Sequence, residues 1–497
     1  MEKKWNKQEN GKFYFTILVV EYFEAKWYNV FVCVMFNKNY VRYMYTFFVK
    51  ALPLFLLCRC RLILTLQFIQ KVGVKILDKF VINGPCPLNG EVTISGAKNA
   101  AVAVLPASLI INGISRIENV PDIMDVKVLL DILGKLGAKI TKEDVNTIIC
   151  DTREIDCWKA PYELVKCMRA SYYLLGALIA RFGKAEVSLP GGCDFGFRPI
   201  DQHIKGFEAM GAHVEIEHGI VKIDASELKG AQIYLDVVSV GATINLMLAA
   251  VKAKGQTVIE NAAKEPHVVD VANFLNAMGA SIRGAGTDVI KVKGVDHLMG
   301  GGTHSIIPDM IEAGTFMIAA AATQGDVIVN NIIPKHMESL TAKLIEMGVT
   351  VIEDEDFIRI IGGNKVKNVN IMTLPYPGFP TDLQPQITVL LSLAEGVSTI
   401  TEGVWDSRFQ YVDELKRMGA KMKVEGRIAV IDGAAILSGA PVKATDLRAG
   451  AAMVMAGLIA KGRTEVGNIK YIDRGYENFV QKLNLLGADI SRVPAEE

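Results

Sequence analysis

Along most of this chain, apolar residues return every three to four positions for about a dozen residues, stop at a glycine, and give way to alternation. The unit repeats. An amphipathic helix ending in Leu/Met-Gly followed by Ala or Val recurs with its glycine at Gly137, Gly211, Gly279, Gly348, Gly419 and Gly487, at spacings of 74, 68, 69, 71 and 68 residues. The pattern predicts helices at 122–136, 199–210, 267–278, 335–347, 411–418 and 475–486, each closed by a glycine in the left-handed C-cap conformation. The segments that follow, such as "HVEIEHGIVKI" and "KMKVEGRIAVI", alternate and turn around Gly219 or Gly426, as hairpins do. A second kind of helix is rich in Ala and Leu: "MRASYYLLGALIARFG", "GATINLMLAAVKAKG", "IEAGTFMIAAAATQG", "QPQITVLLSLAEG" and "LRAGAAMVMAGLIAKG". These are too apolar to face solvent and too short to span a bilayer, so they belong in interiors. Six helix-and-hairpin units are expected to close into compact α/β bodies, most simply as two groups of three.

Composition agrees. The 497 residues, 50% of them hydrophobic, suffice for roughly two to four domains with buried cores. The net charge of zero hides a split: residues 1–77 hold 12 Lys+Arg against 4 Asp+Glu, and the rest holds 42 against 50. An acidic body argues against a nucleic-acid partner. Eight cysteines (33, 58, 60, 86, 150, 157, 167, 193) form no CxxC pair and no Cys/His cluster at metal-ligand spacing, so a reducing compartment is expected.

The first 77 residues differ in kind. They contain 17 of the 38 aromatic residues, and after Glu24 no acid appears until Asp78. The run from Tyr43 to Ile69 is strongly apolar but is broken by Lys50, Arg59 and Arg61, leaving no clean stretch of about 20 apolar residues. Three readings of this head stay open: absent from the working protein, with Leu77 as the start; membrane-associating; or a packed accessory element.

Several segments carry candidate chemistry. In "SGAKNA", Lys98 and Asn99 follow a glycine and open an apolar helix, where a lysine would meet an anion beside free backbone N–H groups. "SLPGGCDFGFRP" sets three glycines and Cys193 on a loop between a strand (185–189) and a helix starting near Pro199, where Arg198 would lower the thiol pKa. His203, early in that helix, would serve equally well facing solvent or a ligand. Arg169, Arg408, Arg448 and Arg474 stand at element boundaries, and the last three follow an acid that would hold the guanidinium. Arginine forks suit phosphate and carboxylate oxygens. In "PGFPTDLQPQ", Asp382 precedes a buried helix; it would either cap that helix or act as general base for a hydroxyl, with its pKa raised by burial. Asp309 in "IIPDMIEAG" holds the analogous place one repeat earlier.

Taken together, "GEVTISGAKNA", "PGGCDFGFRPIDQHIKG", "SVGAT", "FPTDLQPQ", "DLRAG" and "IDRGYE" resemble the UDP-N-acetylglucosamine 1-carboxyvinyltransferases, a family of enolpyruvyl transferases, from about residue 78 to 494. The cysteine loop separates that family from the enolpyruvyl-shikimate-phosphate synthases. The resemblance implies two similar domains in an inside-out α/β barrel arrangement, residues 98–307 forming one and residues 78–97 with 308–497 the other. It implies cytoplasmic transfer of the enolpyruvyl group of phosphoenolpyruvate to UDP-N-acetylglucosamine by a body not embedded in a membrane, with no metal and no organic cofactor; it leaves the oligomeric state open and is compatible with a monomer.

Carried over by resemblance, Lys98, Arg198 and Arg474 hold the phosphate and carboxylate of phosphoenolpyruvate, with Arg408 and Arg448 in the same anionic region. Asn99, Arg169, Asp382 and Val404 touch the sugar nucleotide. Arg198, Pro199, Ile200, Asp201 and Gln202, with Val237, Val238, Ser239 and Val240, line its diphosphate and uracil. Cys193 matches the proton donor to the enol methylene and the thiol that fosfomycin alkylates, and Asp382 matches the residue facing the attacking sugar hydroxyl. Three departures stand out: Val237 replaces a common basic residue, Asp406 replaces a glutamate, and the head has no counterpart. The rival readings are transfer to shikimate-3-phosphate and an inactive ligand-binding paralogue.

Overall fold

The computed structural model describes residues 18–24, 27–33, 47–50, 78–165, 168–189, 200–363 and 365–495. The chain divides into two compact units, Met1–Ile76 and Leu77–Glu497. In the first, Leu18–Glu24, Trp27–Cys33 and Phe47–Lys50 pair as a three-stranded antiparallel sheet. Most of the apolar run from Tyr43 to Ile69 lies outside the described residues. No described helix is long and apolar enough to cross a membrane.

The second unit holds two hydrophobic cores. One is built from residues between Ala97 and Ile306. The other joins Phe80–Ile94 to residues from Ile311 to Ile490. Each core is filled by three helices with few solvent-facing positions: Lys98–Ala107, Tyr173–Phe182 and Val240–Ala250 in the first lobe, and Met310–Ala322, Gln384–Leu391 and Leu447–Ile459 in the second. Burying a Val, Leu or Ile side chain is worth roughly 1.5–3 kcal/mol over leaving it exposed, which draws such helices inward. The amphipathic helices, among them Met124–Lys135, Asp201–Ala209 and Pro266–Ala277, each bury one face. All six repeat glycines have positive φ, between 88° and 105°, as the C-cap reading requires. Both predicted hairpins form, His213–Glu217 with Ile220–Asp224 and Lys421–Glu425 with Ile428–Asp432.

Around each trio of helices stand three separate sheets of three or four strands. Among the described residues none closes into a barrel, so the barrel expected above is not a hydrogen-bonded one. The lobes are nevertheless interlaced. Asn89–Thr93 runs parallel to Asp326–Asn330 and completes a sheet of the second lobe, whereas Thr303–Ser305 runs parallel to Ile114–Glu118 and completes one of the first. The chain therefore crosses between lobes twice, and the crossings lie side by side: Gly96 bridges Pro308 antiparallel, Ala97 N–H donates to Ile307 O (2.7 Å) and Asp309 N–H to Ser95 O (2.9 Å).

Candidate functional site

The double crossing delivers Lys98 to the junction of the lobes. Asp309 caps the helix Met310–Ala322 through Oδ1, accepting from the Ile311 and Glu312 N–H groups, while its Oδ2 accepts the Lys98 backbone N–H at 3.0 Å. That backbone donor is therefore engaged rather than free for an anion. Asp309 thus has a structural task, and it locks the start of Lys98–Ala107 to the other lobe. The Lys98 stem runs past Gly475, where an added Cβ would stand 3.0 Å from Lys98 Cδ.

Two carboxylates organise the cations here. Asp125, in the first turn of Met124–Lys135, takes Lys98 Nζ on Oδ2 at 3.0 Å. Arg474, from the second lobe, donates to it through Nε (2.8 Å) and Nη2 (3.2 Å). Burial pushes the Asp125 pKa up, but the charges and hydrogen bonds of Lys98 and Arg474 outweigh it and hold the group below the usual carboxylate range. Asp382, in the short turn Thr381–Leu383, meets Arg448 at 3.1 Å and Arg408 at 3.5 Å. Burial raises its pKa, yet Arg448, Arg408 and then Lys98 bring it down to about 2. The expected upward shift is thus reversed by paired guanidinium groups, and the influence of Lys98 ties both carboxylates into one electrostatic site. Asp382 makes no helix-cap bond; the helix after it, Gln384–Leu391, has no side-chain cap.

The acids beside the arginines in sequence are occupied elsewhere. Asp406 pairs with Arg427, Asp446 caps Leu447–Ile459 through the Arg448 and Ala449 N–H groups, and Asp473 holds Arg492. The carboxylates that hold the guanidinium groups come instead from distant positions, 26, 66 and 349 residues away. Behind them, the ring of Tyr476 lies 5.5 Å from the Arg448 guanidinium carbon, and its hydroxyl joins Thr315 Oγ1 (2.9 Å) and Gln386 Nε2 (3.2 Å) in a buried network. Glu402 accepts the N–H groups of Val404 and Trp405, both at 3.0 Å, on one oxygen and the Thr381 hydroxyl at 3.1 Å on the other. It thereby links Val404 to the turn carrying Asp382. Asn99 lies half-buried in the first turn after Lys98.

A second cluster gathers the expected nucleotide segments. Ile200 precedes the helix Asp201–Ala209. Gln202 donates to Asp201 and Asp236 and accepts the Asp236 N–H at 2.9 Å, which fixes the segment 237–240 beside this helix. Val237 and Val238 are exposed, and Ser239 caps Val240–Ala250 through the Ala242 N–H. His203 does not face solvent. It packs edge-on to Tyr172 at 5.3 Å, and burial holds its pKa down to about 4. Arg169 opens the 3-10 turn Arg169–Tyr172. Cys193, Arg198 and Pro199 lie outside the described residues.

Residues 82–483 match the family model described as EPSP synthase (3-phosphoshikimate 1-carboxyvinyltransferase). The chain is 60% identical over 417 residues to UDP-N-acetylglucosamine 1-carboxyvinyltransferase 3 of Caldanaerobacter subterraneus subsp. tengcongensis, covering 84% of this chain and all of that one. It is 59% identical over 418 residues to UDP-N-acetylglucosamine 1-carboxyvinyltransferase of Clostridium botulinum, again over 84% of this chain and all of the relative. Among solved structures, the enolpyruvyl transferase NikO from Streptomyces tendae superposes with a TM-score of 0.78 at 28% identity, over 84% of this chain and all of that one. EPSP synthase from Acinetobacter baumannii, at 22% identity, shares the fold over the same coverage with a TM-score of 0.68.

Proposed function

Because the chain belongs to the UDP-N-acetylglucosamine 1-carboxyvinyltransferases within the EPSP synthase family, we propose that it transfers the enolpyruvyl group of phosphoenolpyruvate to the 3'-hydroxyl of UDP-N-acetylglucosamine in the cytoplasm, releasing phosphate. This is the first committed step of peptidoglycan synthesis. The two cores correspond in this reading to domains 98–307 and 78–97 with 308–497, their sheets wrapped around internal helices as an inside-out barrel in packing. The observation that carries the proposal is the set of four cations, Lys98, Arg408, Arg448 and Arg474, held around two carboxylates where the lobes meet. A substrate with both a phosphate and a carboxylate suits such a set.

In the proposed mechanism, Cys193 protonates the methylene carbon of phosphoenolpyruvate and leaves carbon 2 with oxocarbenium character. The sugar oxygen attacks carbon 2, giving a tetrahedral intermediate. The Cys193 thiolate then takes a proton back from the resulting methyl group as phosphate departs, which restores the double bond and the thiol. Lys98, Arg198 and Arg474 stabilise the phosphate and carboxylate charge, with Arg408 and Arg448 contributing to the same field. Asp382, ionised at working pH, accepts the hydrogen bond of the attacking hydroxyl. Its low pKa does not forbid the final transfer, because an alcohol oxygen becomes strongly acidic as it bonds to carbon 2. Asn99, Arg169 and Val404 contact the sugar nucleotide, and Ile200, Asp201 and Gln202 with Val237–Val240 take its diphosphate and uracil.

The test is phosphate release from phosphoenolpyruvate by the full chain and by a chain beginning at Leu77, with UDP-N-acetylglucosamine or shikimate-3-phosphate supplied separately. Release that needs the sugar nucleotide and stops with fosfomycin supports the proposal. Release with shikimate-3-phosphate alone, or with neither acceptor, refutes it.

A further inference from the structure

The segments 119–125 and 474–477 meet twice across the lobe junction, with opposite polarity. At the first point the cation lies on the second lobe: Arg474 donates to Asp125. At the second the anion does. Three residues beyond Arg474, Glu477 Oε1 accepts the backbone N–H of Asp122 at 3.0 Å and Asn146 Nδ2–H at 2.9 Å. Asp122 stands three residues before Asp125. Asn146 is itself tied to the same loop, since its Nδ2 donates to Val120 O (2.9 Å) and its carbonyl accepts the Val120 N–H (2.8 Å). Glu477 is 7% exposed. It therefore grips a small knot of the first lobe, of which Met124–Lys135 is the outgoing helix.

The two points differ in what they share with the reaction. Asp125 contacts Lys98 and Arg474, both assigned above to phosphoenolpyruvate, so any change there alters binding and closure together. Glu477 contacts neither cation through these bonds. We infer that Glu477 is a positioning residue that clasps the lobes together, holding the knot at Val120–Asp122 and Asn146 so that Asp125 arrives in register with Lys98 and Arg474. Its two hydrogen bonds exist only while the lobes are together. Removing them lowers the fraction of molecules in the binding-competent arrangement, and apparent affinity falls in proportion to that fraction. Turnover of the saturated complex is affected less, because bound substrates themselves hold the lobes together. The change Glu477→Gln would keep an oxygen able to accept both N–H groups, whereas Glu477→Ala would leave two donors without their acceptor.

The inference rests on the proposed enolpyruvyl transfer, and the experiment separates the two. Steady-state kinetics of the full chain, Glu477→Ala and Glu477→Gln are paired with amide hydrogen exchange of peptides covering 119–127 in the absence of substrates. Two hydrogen bonds lost together are worth about tenfold in an equilibrium. Glu477→Ala is expected to raise the KM for phosphoenolpyruvate about tenfold, change kcat less than about threefold, and speed exchange at Asp122 about tenfold. Glu477→Gln is expected to lie within about threefold of the parent on all three. An unchanged KM, a fall in kcat without a rise in KM, unaltered exchange, or a glutamine variant as impaired as the alanine one overturns the clasp. If the parent chain turns over neither acceptor, the functional proposal fails, while the exchange data still decide whether Glu477 holds the knot.

Discussion

Replacing Lys482 by Met should cost the second lobe stability in a manner that depends on pH. Lys482 Nζ lies 2.6 Å from Glu312 Oε1 and donates to Ser95 Oγ at 2.7 Å, while Glu312 Oε2 accepts the Ser95 N–H at 2.9 Å. Glu312 is 2% exposed, and burial, only partly offset by Lys482, pushes its pKa from 4.5 to about 7. Removing one partner of a buried pair costs about 3–5 kcal/mol, on the order of 10 °C in the Tm of a lobe this size. That figure applies only while Glu312 is charged. An acid whose folded pKa is raised stabilises the fold fully below its ordinary value, and that contribution is lost as pH rises through about 7. At pH 6 Glu312 is already largely protonated in the parent, so removing Lys482 there breaks no ion pair and costs about 1 kcal/mol less than at pH 8. Thermal unfolding of the parent and Lys482→Met at pH 6 and pH 8 should show the larger loss at pH 8, the two differing by about 1 kcal/mol or a few degrees in Tm. Adding Glu312→Gln to Lys482→Met should recover most of the loss at pH 8. Equal losses at both pH values, or no recovery in the double variant, would refute the reasoning.

Other outcomes follow from the same contacts. Asp382→Asn should lower kcat by about 10²–10⁴-fold. Its residual pH profile should keep the parent's acid limb, because a carboxylate held at about 2 loses its charge only as pH falls well below 4. Gly96→Ala would place a Cβ 1.7 Å from the Asn119 carbonyl oxygen at the lobe crossing. It should cost about 1–3 kcal/mol, read as a lowered Tm. Cys193→Ala should nearly abolish phosphate release, whereas Cys193→Asp should retain it and lose inhibition by fosfomycin; unchanged turnover in the alanine variant would remove the thiol from the mechanism.

Repeats and interior helices were legible because their signals are local. A glycine such as Gly348 after "IEM", or an uncharged run such as "GAAMVMAGLIA", speaks within a dozen residues. The separate sheets were not legible, since edge strands such as Thr303–Ser305 and Gln232–Tyr234 span three residues and carry no readable alternation. Asp125 and Glu477 escaped for another reason. In "DIMDVKVLL", Asp125 reads as an ordinary first-turn acid, and its partner Arg474 lies 349 residues on. Arg408, Arg448 and Arg474 stand out in the sequence, but the acids next to them do not hold them. An adjacent acid sits at an element boundary, where capping or a neighbouring strand's arginine claims it, as with Asp446 and Asp473. The electrostatics of Asp382 mislead for the same reason: burial is legible in an apolar context, whereas two arginines from other elements are not.

The strand Asp78–Gly84 opens the second lobe, yet its partners are Gly462–Gly467 and Ile490–Pro494. During synthesis at about 5–20 residues per second, that strand leaves the ribosome on the order of tens of seconds before anything exists for it to pair with. The first lobe faces no such delay, because all of its sheets lie between Ile114 and Ser305. It can be complete while its host is still half made. The nascent protein thus passes through a stage in which a finished lobe hangs between the two incomplete parts of the other, with an unpaired strand ahead of it. A mutation that slows the first lobe would be felt at that stage before it touched the enzyme's chemistry.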